Sequence, residues 1–323
     1  MEQIRLASSG RETTRLGYGC SSIMGALGRR QSLRLLEAAY DAGIRHFDVA
    51  PMYGYGEAES CLGEFRERHT DITITTKYGI APPKRGGLLR TARRIAGPMI
   101  QRVPALKRRL VRAAGAVAAP AEKSRFSADE ARVSLENSLR ALHTDFIDIW
   151  LLHEAEAPDL ADDSLLNFLH DAVAQKKVGA YGVGSDSAKL PLLLRERPAY
   201  CQVVQHDWSV LDSLESQPGA FHIHHRALTD RLQTLHADLS ADSKRCLRWS
   251  EVTGHNLARR ETLAALMLKA ALVLHPNTIV LVSSKNPAHI KENVRIAEDA
   301  SLEQPARRLY ELVQREGMAS AAN

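Results

Sequence analysis

The sequence predicts a (β/α)8 (TIM) barrel, a single α/β domain over residues 1–323. Three observations lead there. Short apolar stretches of strand length alternate with amphipathic helical stretches, eight strands in all, which is the pattern of a parallel sheet with helices packed outside it. A length of 323 residues exceeds one sandwich and suits one large α/β barrel with a sizeable core. No Gly-x-Gly-x-x-Gly follows the first strand, which disfavours the alternative, a doubly wound open sheet.

The first strand is expected over 15–21, followed by a helix over 31–42 with Leu33, Leu36, Ala39 and Tyr40 on one face. Gly43 closes that helix, as glycine does just past a helix end. The second strand covers 45–49 and its helix 57–68, and the third strand covers 72–77. A helix over 128–142 starts at Ser127, with Glu130 three residues on, the pattern of a capping box. The fourth strand covers 146–152, with a helix over 165–177. The fifth covers 180–183, with a short helix over 190–195. The sixth covers 201–205 and the seventh 220–224. Helical stretches then fill 228–249 and 260–274, the eighth strand covers 278–282, and the last paired helix covers 287–297. A disordered tail is expected over 317–323.

Composition narrows the class. Hydrophobic residues at 44% and charged residues at 25% exclude a disordered or fibrous chain. Cys20, Cys61, Cys201 and Cys246 form no Cys-x-x-Cys pair, which argues against a disulfide framework and fits a reducing, cytoplasmic location. The N-terminus carries no secretory pattern, and no window of membrane-spanning length is apolar.

The net charge of +5 is unevenly placed. Residues 82–125 hold 12 Lys/Arg and one acidic residue, while the remainder holds 31 Lys/Arg against 37 Asp/Glu. The basic character belongs to one insertion after the third strand, so it is not a whole-surface signal for nucleic acid. No aromatic residue falls in that insertion, which also speaks against base stacking. Its roles in competition are a solvated helical excursion, a lid over the pocket and a contact with an anionic membrane surface.

Four polar residues fall at or just beyond the C-terminal ends of neighbouring strands: Asp48, Tyr53, Lys77 and His153. In a barrel of this kind that end builds the active site. A phenol with an unperturbed pKa of about 10 is a poor acid near neutrality. A neighbouring ammonium favours the phenolate and is expected to lower that pKa, while a carboxylate holds the ammonium in place. Histidine supplies a hydrogen bond to a substrate oxygen. Singly, each residue has an ordinary structural role; together, at these strand ends, they form a proton-donating constellation. No metal is expected: His222, His224 and His225 lack a carboxylate or cysteine at ligand spacing, although His222 and His224 share a strand face.

The run 47–54, Phe-Asp-Val-Ala-Pro-Met-Tyr-Gly, together with Glu59-Ser-Cys-Leu-Gly63, Thr75-Thr-Lys77 and Leu151-Leu-His153, resembles the aldo-keto reductase family over nearly the whole chain. Gly182-Val-Gly-Ser185, Val203-Val-Gln205 and the run from Val282 to Asn293 extend the resemblance in order. The wording around Tyr53 is similar to the bacterial aldehyde-reducing and sugar-oxidising branches. The resemblance implies Asp48, Tyr53, Lys77 and His153 as the catalytic tetrad, and NADPH or NADH lying across the barrel mouth. It places Gln205, with Gly184 and Ser185, at the nicotinamide carboxamide. His225, with His224 next, takes the place of the family's stacking aromatic ring. The family usually carries Ser-Asn where this chain has Gly184-Ser185. Ser283, Ser284 and Lys285 with the following helix form a phosphate cradle. Ser283 and His289 stand where NADPH-specific relatives place Lys and Arg, leaving Lys285 to compensate, so NADP use with dual NAD use is expected. Asn293 would read the adenine. Met24, Met52, Tyr78 and Trp208 are expected to wall a largely apolar pocket for a small carbonyl or sugar. Two other functions remain open: a cofactor-sensing regulatory barrel with vestigial catalysis, and a membrane- or partner-associated protein acting through the basic insertion.

Overall fold

The computed structural model describes residues 1–6, 9–81, 123–214 and 219–317. Two short strands, β1 (Gln3–Arg5) and β2 (Glu12–Thr14), form an antiparallel hairpin ahead of the barrel. The barrel strands are β3 (Leu16–Gly19), β4 (His46–Asp48), β5 (Thr73–Tyr78), β6 (Ile147–His153), β7 (Val178–Gly184), β8 (Val203–Asp207), β9 (Phe221–His225) and β10 (Thr278–Val282). They close in chain order, with β10 pairing β3, and every pairing in the barrel is parallel.

The helices are α1 (Arg29–Asp41), α2 (Ala58–Arg66), α3 (Ala128–Ala141), α4 (Asp163–Ala174), α5 (Leu190–Glu196), α6 (Thr229–Ala241), α7 (Ser243–Thr253), α8 (Arg260–Leu274), α9 (Pro287–Glu298) and α10 (Glu303–Glu316). The expected alternation holds except at one place: among the described residues, no helix separates β8 from β9. The expected first strand is shorter too, because residues Cys20–Ser22 turn into a 3-10 helix at the barrel mouth.

Two cores follow from strand pleating, which sends alternate side chains inward and outward. Inside the barrel, Ile149, Leu151, Ala180, Val203, Ile223 and Ile279 pack together, and Leu6 from the hairpin end joins them. The larger core lies between strands and helices. In the expected capping box at α3, Ser127 Oγ accepts from the Glu130 N–H at 3.3 Å. The Glu130 carboxylate accepts instead from the Arg125 N–H at 3.1 Å, so only one half of the box forms.

Gly182 is required by close approach of backbones. A Cβ there would stand 1.8 Å from the Val203 carbonyl oxygen, which no rotamer relieves. Gly182→Ala is therefore expected to destabilise the barrel by at least the 1–3 kcal/mol typical of overpacking, roughly. A thermal melt checks this, and an unchanged midpoint would contradict it.

The basic insertion expected over 82–125 lies, apart from 123–125, outside the described residues, as does the tail beyond 317. Its root is described. Ile80 and Lys123 form an antiparallel bridge, and Ser124 N–H donates to the Gly79 carbonyl at 2.8 Å. Lys123 also pairs with Asp159 at 2.7 Å. The chain thus leaves and rejoins the barrel at one point. Replacing 82–122 with a short Gly-Ser linker is expected to leave the melting midpoint nearly unchanged, which differential scanning fluorimetry tests.

Candidate active site

The site forms where β4, β5, β6, β8 and β9 end. Lys77, the fifth residue of β5, points into the barrel mouth and is 2% exposed. Its Nζ donates to Asp48 Oδ1 at 2.6 Å and to the Val49 carbonyl at 3.1 Å. Asp48, 4% exposed, accepts on its other oxygen from Gln205 Nε2 at 2.7 Å. Lys77 Nζ lies 5.4 Å from the Tyr53 ring centroid, close enough for its charge to act on the phenol. The Tyr53 and His153 rings meet edge to face, with centroids 6.3 Å apart. The structure therefore brings the four expected catalytic residues together.

Tyr53 is held by a short 3-10 turn, Tyr53–Tyr55. The next residue, Gly54, has φ +59°, and a Cβ on it would lie 2.5 Å from Met24 Cβ. Glycine is thus needed for the turn to settle against Met24. Met24, Tyr55, Glu154 and Arg226 also take left-handed φ values without being glycine. Glu154 and Arg226 each directly follow an inward site histidine, and both line the mouth. Backbone strain of this kind gathers where a site demands a set geometry.

Electrostatics correct one expectation. Burial raises the Tyr53 pKa above its ordinary value, and the Lys77 charge only partly offsets this, so the phenol is not a lowered acid. Burial works against the charge on Lys77, but Asp48 and Tyr53 outweigh it and raise its pKa. His153 is pushed down to about 3, first by burial and then by Lys77. His225 falls to about 4, chiefly by burial. His46, inside the barrel, also falls to about 4 by burial, and its ring bonds Thr73 Oγ1 at 2.9 Å and Thr75 Oγ1 at 3.1 Å.

These three histidines are neutral in the fold at pH 7. Their folded pKa values lie below the unfolded value near 6.5, so the unfolded chain takes up protons first as pH falls. The stability from keeping them neutral is complete above about pH 6.5 and drains away towards pH 4 and 3. The melting midpoint is expected to fall already between pH 6.5 and 4.5, before most carboxylates titrate. A flat profile over that interval would contradict the neutral-histidine assignment.

Tyr53, Lys77, Asp48 and His153 sit in a cavity of about 360 Å³, lined also by Gly184, Ser185, Gln205, His225, Ser283 and Asn293. Ser283 Oγ donates to the Gly19 carbonyl at 2.7 Å. Ser284, Lys285 and His289 do not line the cavity; they stand beside it at the start of α9. Asn286 caps that helix through a bond from the Ala288 N–H at 3.0 Å, and Pro287 occupies its first turn.

All four expected pocket walls miss this cavity. Tyr78 follows inward Lys77 and so points outward, stacking on Trp150 at 5.7 Å. Trp208 follows inward Asp207 and packs against His275 and Tyr310. Met24 lies under the Gly54 turn, and Met52 precedes that turn. The expected alternate His224 also points outward, leaving His225 as the inward ring. The sequence reading missed Ser21, Glu154, Asp186, Arg226 and Thr229, which all line the mouth. Position just after a strand end was the available signal.

The family model described as Aldo/keto reductase family matches residues 15–233, more than half of the chain. A pyridoxal 4-dehydrogenase from Microbacterium luteolum is 43% identical over 82 residues, 24% of this chain and 24% of that protein. A D-threo-aldose 1-dehydrogenase from a Pseudomonas species is 31% identical over 189 residues, 55% of this chain and 52% of that protein. The chain thus spans about a quarter of the first relative and about half of the second. Among solved structures, an aldo/keto reductase from Klebsiella pneumoniae in complex with NADP and acetate superimposes with a TM-score of 0.63 at 18% identity, over 95% of each chain. No helix among the described residues is long and apolar enough to cross a membrane.

Proposed function

Because the chain belongs to the aldo/keto reductase family, we propose that it is an NAD(P)H-dependent oxidoreductase reducing an aldehyde or ketone, with Tyr53 as proton donor. The observation carrying this reading is Lys77 Nζ, fixed by Asp48 at 2.6 Å and held 5.4 Å from the Tyr53 ring centroid, in a cavity that Tyr53 and His153 also line.

The residues present fit a nicotinamide cofactor. Gly184 without a side chain, the amide of Gln205 and the neutral ring of His225, at the ends of the adjacent strands β7, β8 and β9, line the cavity together with Ser283 and Asn293. When bound, the cofactor supplies or accepts the hydride. Gln205 keeps a carbonyl oxygen for a carboxamide, since its amide nitrogen is committed to Asp48. His225 offers a flat apolar face. Lys285, exposed just before α9, offers positive charge to phosphate, while the first-turn N–H groups of that helix are held by Asn286.

At the reacting oxygen the chain provides two donors. Tyr53 delivers the proton and passes the resulting negative charge to the field of Lys77. His153 is neutral and carries one N–H. Its Nδ1 is buried without a hydrogen-bond partner, so Nε2 is the position where that proton can find an acceptor. Asp48 keeps Lys77 charged and placed. Oxidation of a sugar or alcohol is the reverse, with Tyr53 as base. Because burial raises the Tyr53 pKa above 10, reduction should hold its rate through neutral pH, while oxidation should climb as pH rises.

A turnover screen with NADPH and NADH across aldehydes, ketones and aldoses tests the proposal. Discrimination between the cofactors is expected to be weak, about 1–3 kcal/mol, since one lysine is left for a 2′-phosphate. A fluorescence titration showing preference of more than about 1,000-fold would move the phosphate site elsewhere. Tight cofactor binding without turnover of any carbonyl would replace the enzyme reading with a cofactor-sensing barrel.

A further inference from the structure

Three histidines meet on the outer side of the barrel wall, away from the catalytic mouth. They are His206 on β8 and His222 and His224 on β9. Strand alternation puts them there: Gln205 and His225 line the mouth cavity, so their neighbours face the other way. Register places His206 beside His224 and His222 beside Val204. Ring centroids lie 4.6 Å apart for His206 and His224, and 5.9 Å for each pair that includes His222. One ring nitrogen from each lies within 4.8 Å of the other two. His206 and His224 are 3% and 2% exposed, while His222 is half-buried and gives a way in.

Two independent features point to a ligand. His206 Nδ1 donates to the Asp207 carbonyl at 3.0 Å, which fixes the tautomer and leaves the Nε2 lone pair for a ligand. Metal-bound histidines are oriented by such a bond from the other ring nitrogen. His224 Nδ1 is buried with no hydrogen-bond partner, and so is Nε2 of His275, whose ring centroid lies 4.4 Å from that of His224. An unmet polar atom in this position calls for an occupant. This is also the stretch of wall where, among the described residues, β8 is not followed by a helix.

We propose that His206, His222 and His224 bind one first-row divalent transition-metal ion, with Zn²⁺ as the reference, which ties β8 to β9. Imidazole-only sets favour Zn²⁺, Cu²⁺ or Ni²⁺ over Mg²⁺ or Ca²⁺. Zn–N bonds imply nitrogens roughly 3.3 Å apart, so the three nitrogens, within 4.8 Å of one another, would draw closer on binding. Water fills the fourth position. The site shares no residue with the Asp48–Tyr53–Lys77–His153 set, and it stands whether or not the barrel reduces carbonyls.

The test uses the full chain, stripped with a chelator and desalted. Equilibrium dialysis against Zn²⁺ should give one ion per chain, with a raised melting midpoint. His206→Gln and His222→Gln should each weaken binding by more than about tenfold, while His170→Gln, on an exposed surface helix, should bind as the wild type. Should a cluster variant fail to fold, Cu²⁺ paramagnetic resonance on the wild type decides. Hyperfine structure from several imidazole nitrogens supports the site, and an oxygen-dominated signal overturns it. Absence of stoichiometric Zn²⁺ binding, or binding retained in both folded variants, overturns it as well.

Discussion

Replacing Tyr53 with Phe is expected to lower the rate of carbonyl reduction by about 10²–10⁴-fold, the usual range for a lost general acid. Cofactor affinity should remain, because the ring that shapes the turn before Gly54 is kept. The Lys77 charge acts on the Tyr53 phenol, so removing the hydroxyl takes away the proton and the path for its charge together. Stopped-flow reduction of a good substrate, paired with a cofactor titration, separates the two effects. Near-normal turnover would show that Tyr53 is not the donor. Loss of cofactor binding together with turnover would show that the substitution had disturbed the whole mouth.

Asp48→Asn is expected to lower both stability and activity. Lys77 would keep its buried ammonium with the Val49 carbonyl but without the carboxylate. Breaking a buried ion pair from one side typically costs about 3–5 kcal/mol. The pH response reports the cause. In the wild type Asp48 and Tyr53 raise the Lys77 pKa, so its contribution is complete at neutral pH and is lost only as pH rises through the folded value, above the unfolded one. In the variant, burial would act on Lys77 with no carboxylate to oppose it and would lower that pKa. The unfolded chain would then bind more protons, and the variant should regain stability as pH rises towards 10. A melting midpoint equal to wild type at pH 7 would mean that the ion pair contributes little.

Much of the fold was legible because strand alternation and helical periodicity report burial directly. The expected bounds 260–274 and 278–282 coincide with α8 and β10. The N-terminal hairpin was not read, since its three-residue strands carry no sustained alternation. Helix α10 was missed although Ala306, Leu309, Tyr310 and Val313 mark one buried face at helical spacing. The grouping of Asp48, Tyr53, Lys77 and His153 in one cavity was legible because each member closes a strand or follows one closely. The pocket walls were not, because Tyr78 and Trp208 were placed by proximity along the chain rather than by parity. Lys77 inward requires Tyr78 outward, and the same count separates His225 from His224. The raised Tyr53 pKa lay beyond sequence, since it depends on how much water the folded mouth admits.

Gln205 joins two tasks in one side chain. Its nitrogen holds Asp48 at 2.7 Å, and under the proposed function its carbonyl end is left for the cofactor's amide. Cofactor affinity and the integrity of the Asp48–Lys77 pair therefore share a free energy, and such a coupling acts equally in both directions. Whatever fixing Gln205 adds to nicotinamide binding, bound nicotinamide returns to the ion pair. Saturating cofactor should raise the melting midpoint more in the wild type than in Asp48→Asn, by the same factor that the substitution takes from cofactor affinity. Under the proposed function, a residue on the far side of the barrel mouth from Tyr53 would thus let an empty site and a loaded site differ in how firmly the proton-delivering groups are held.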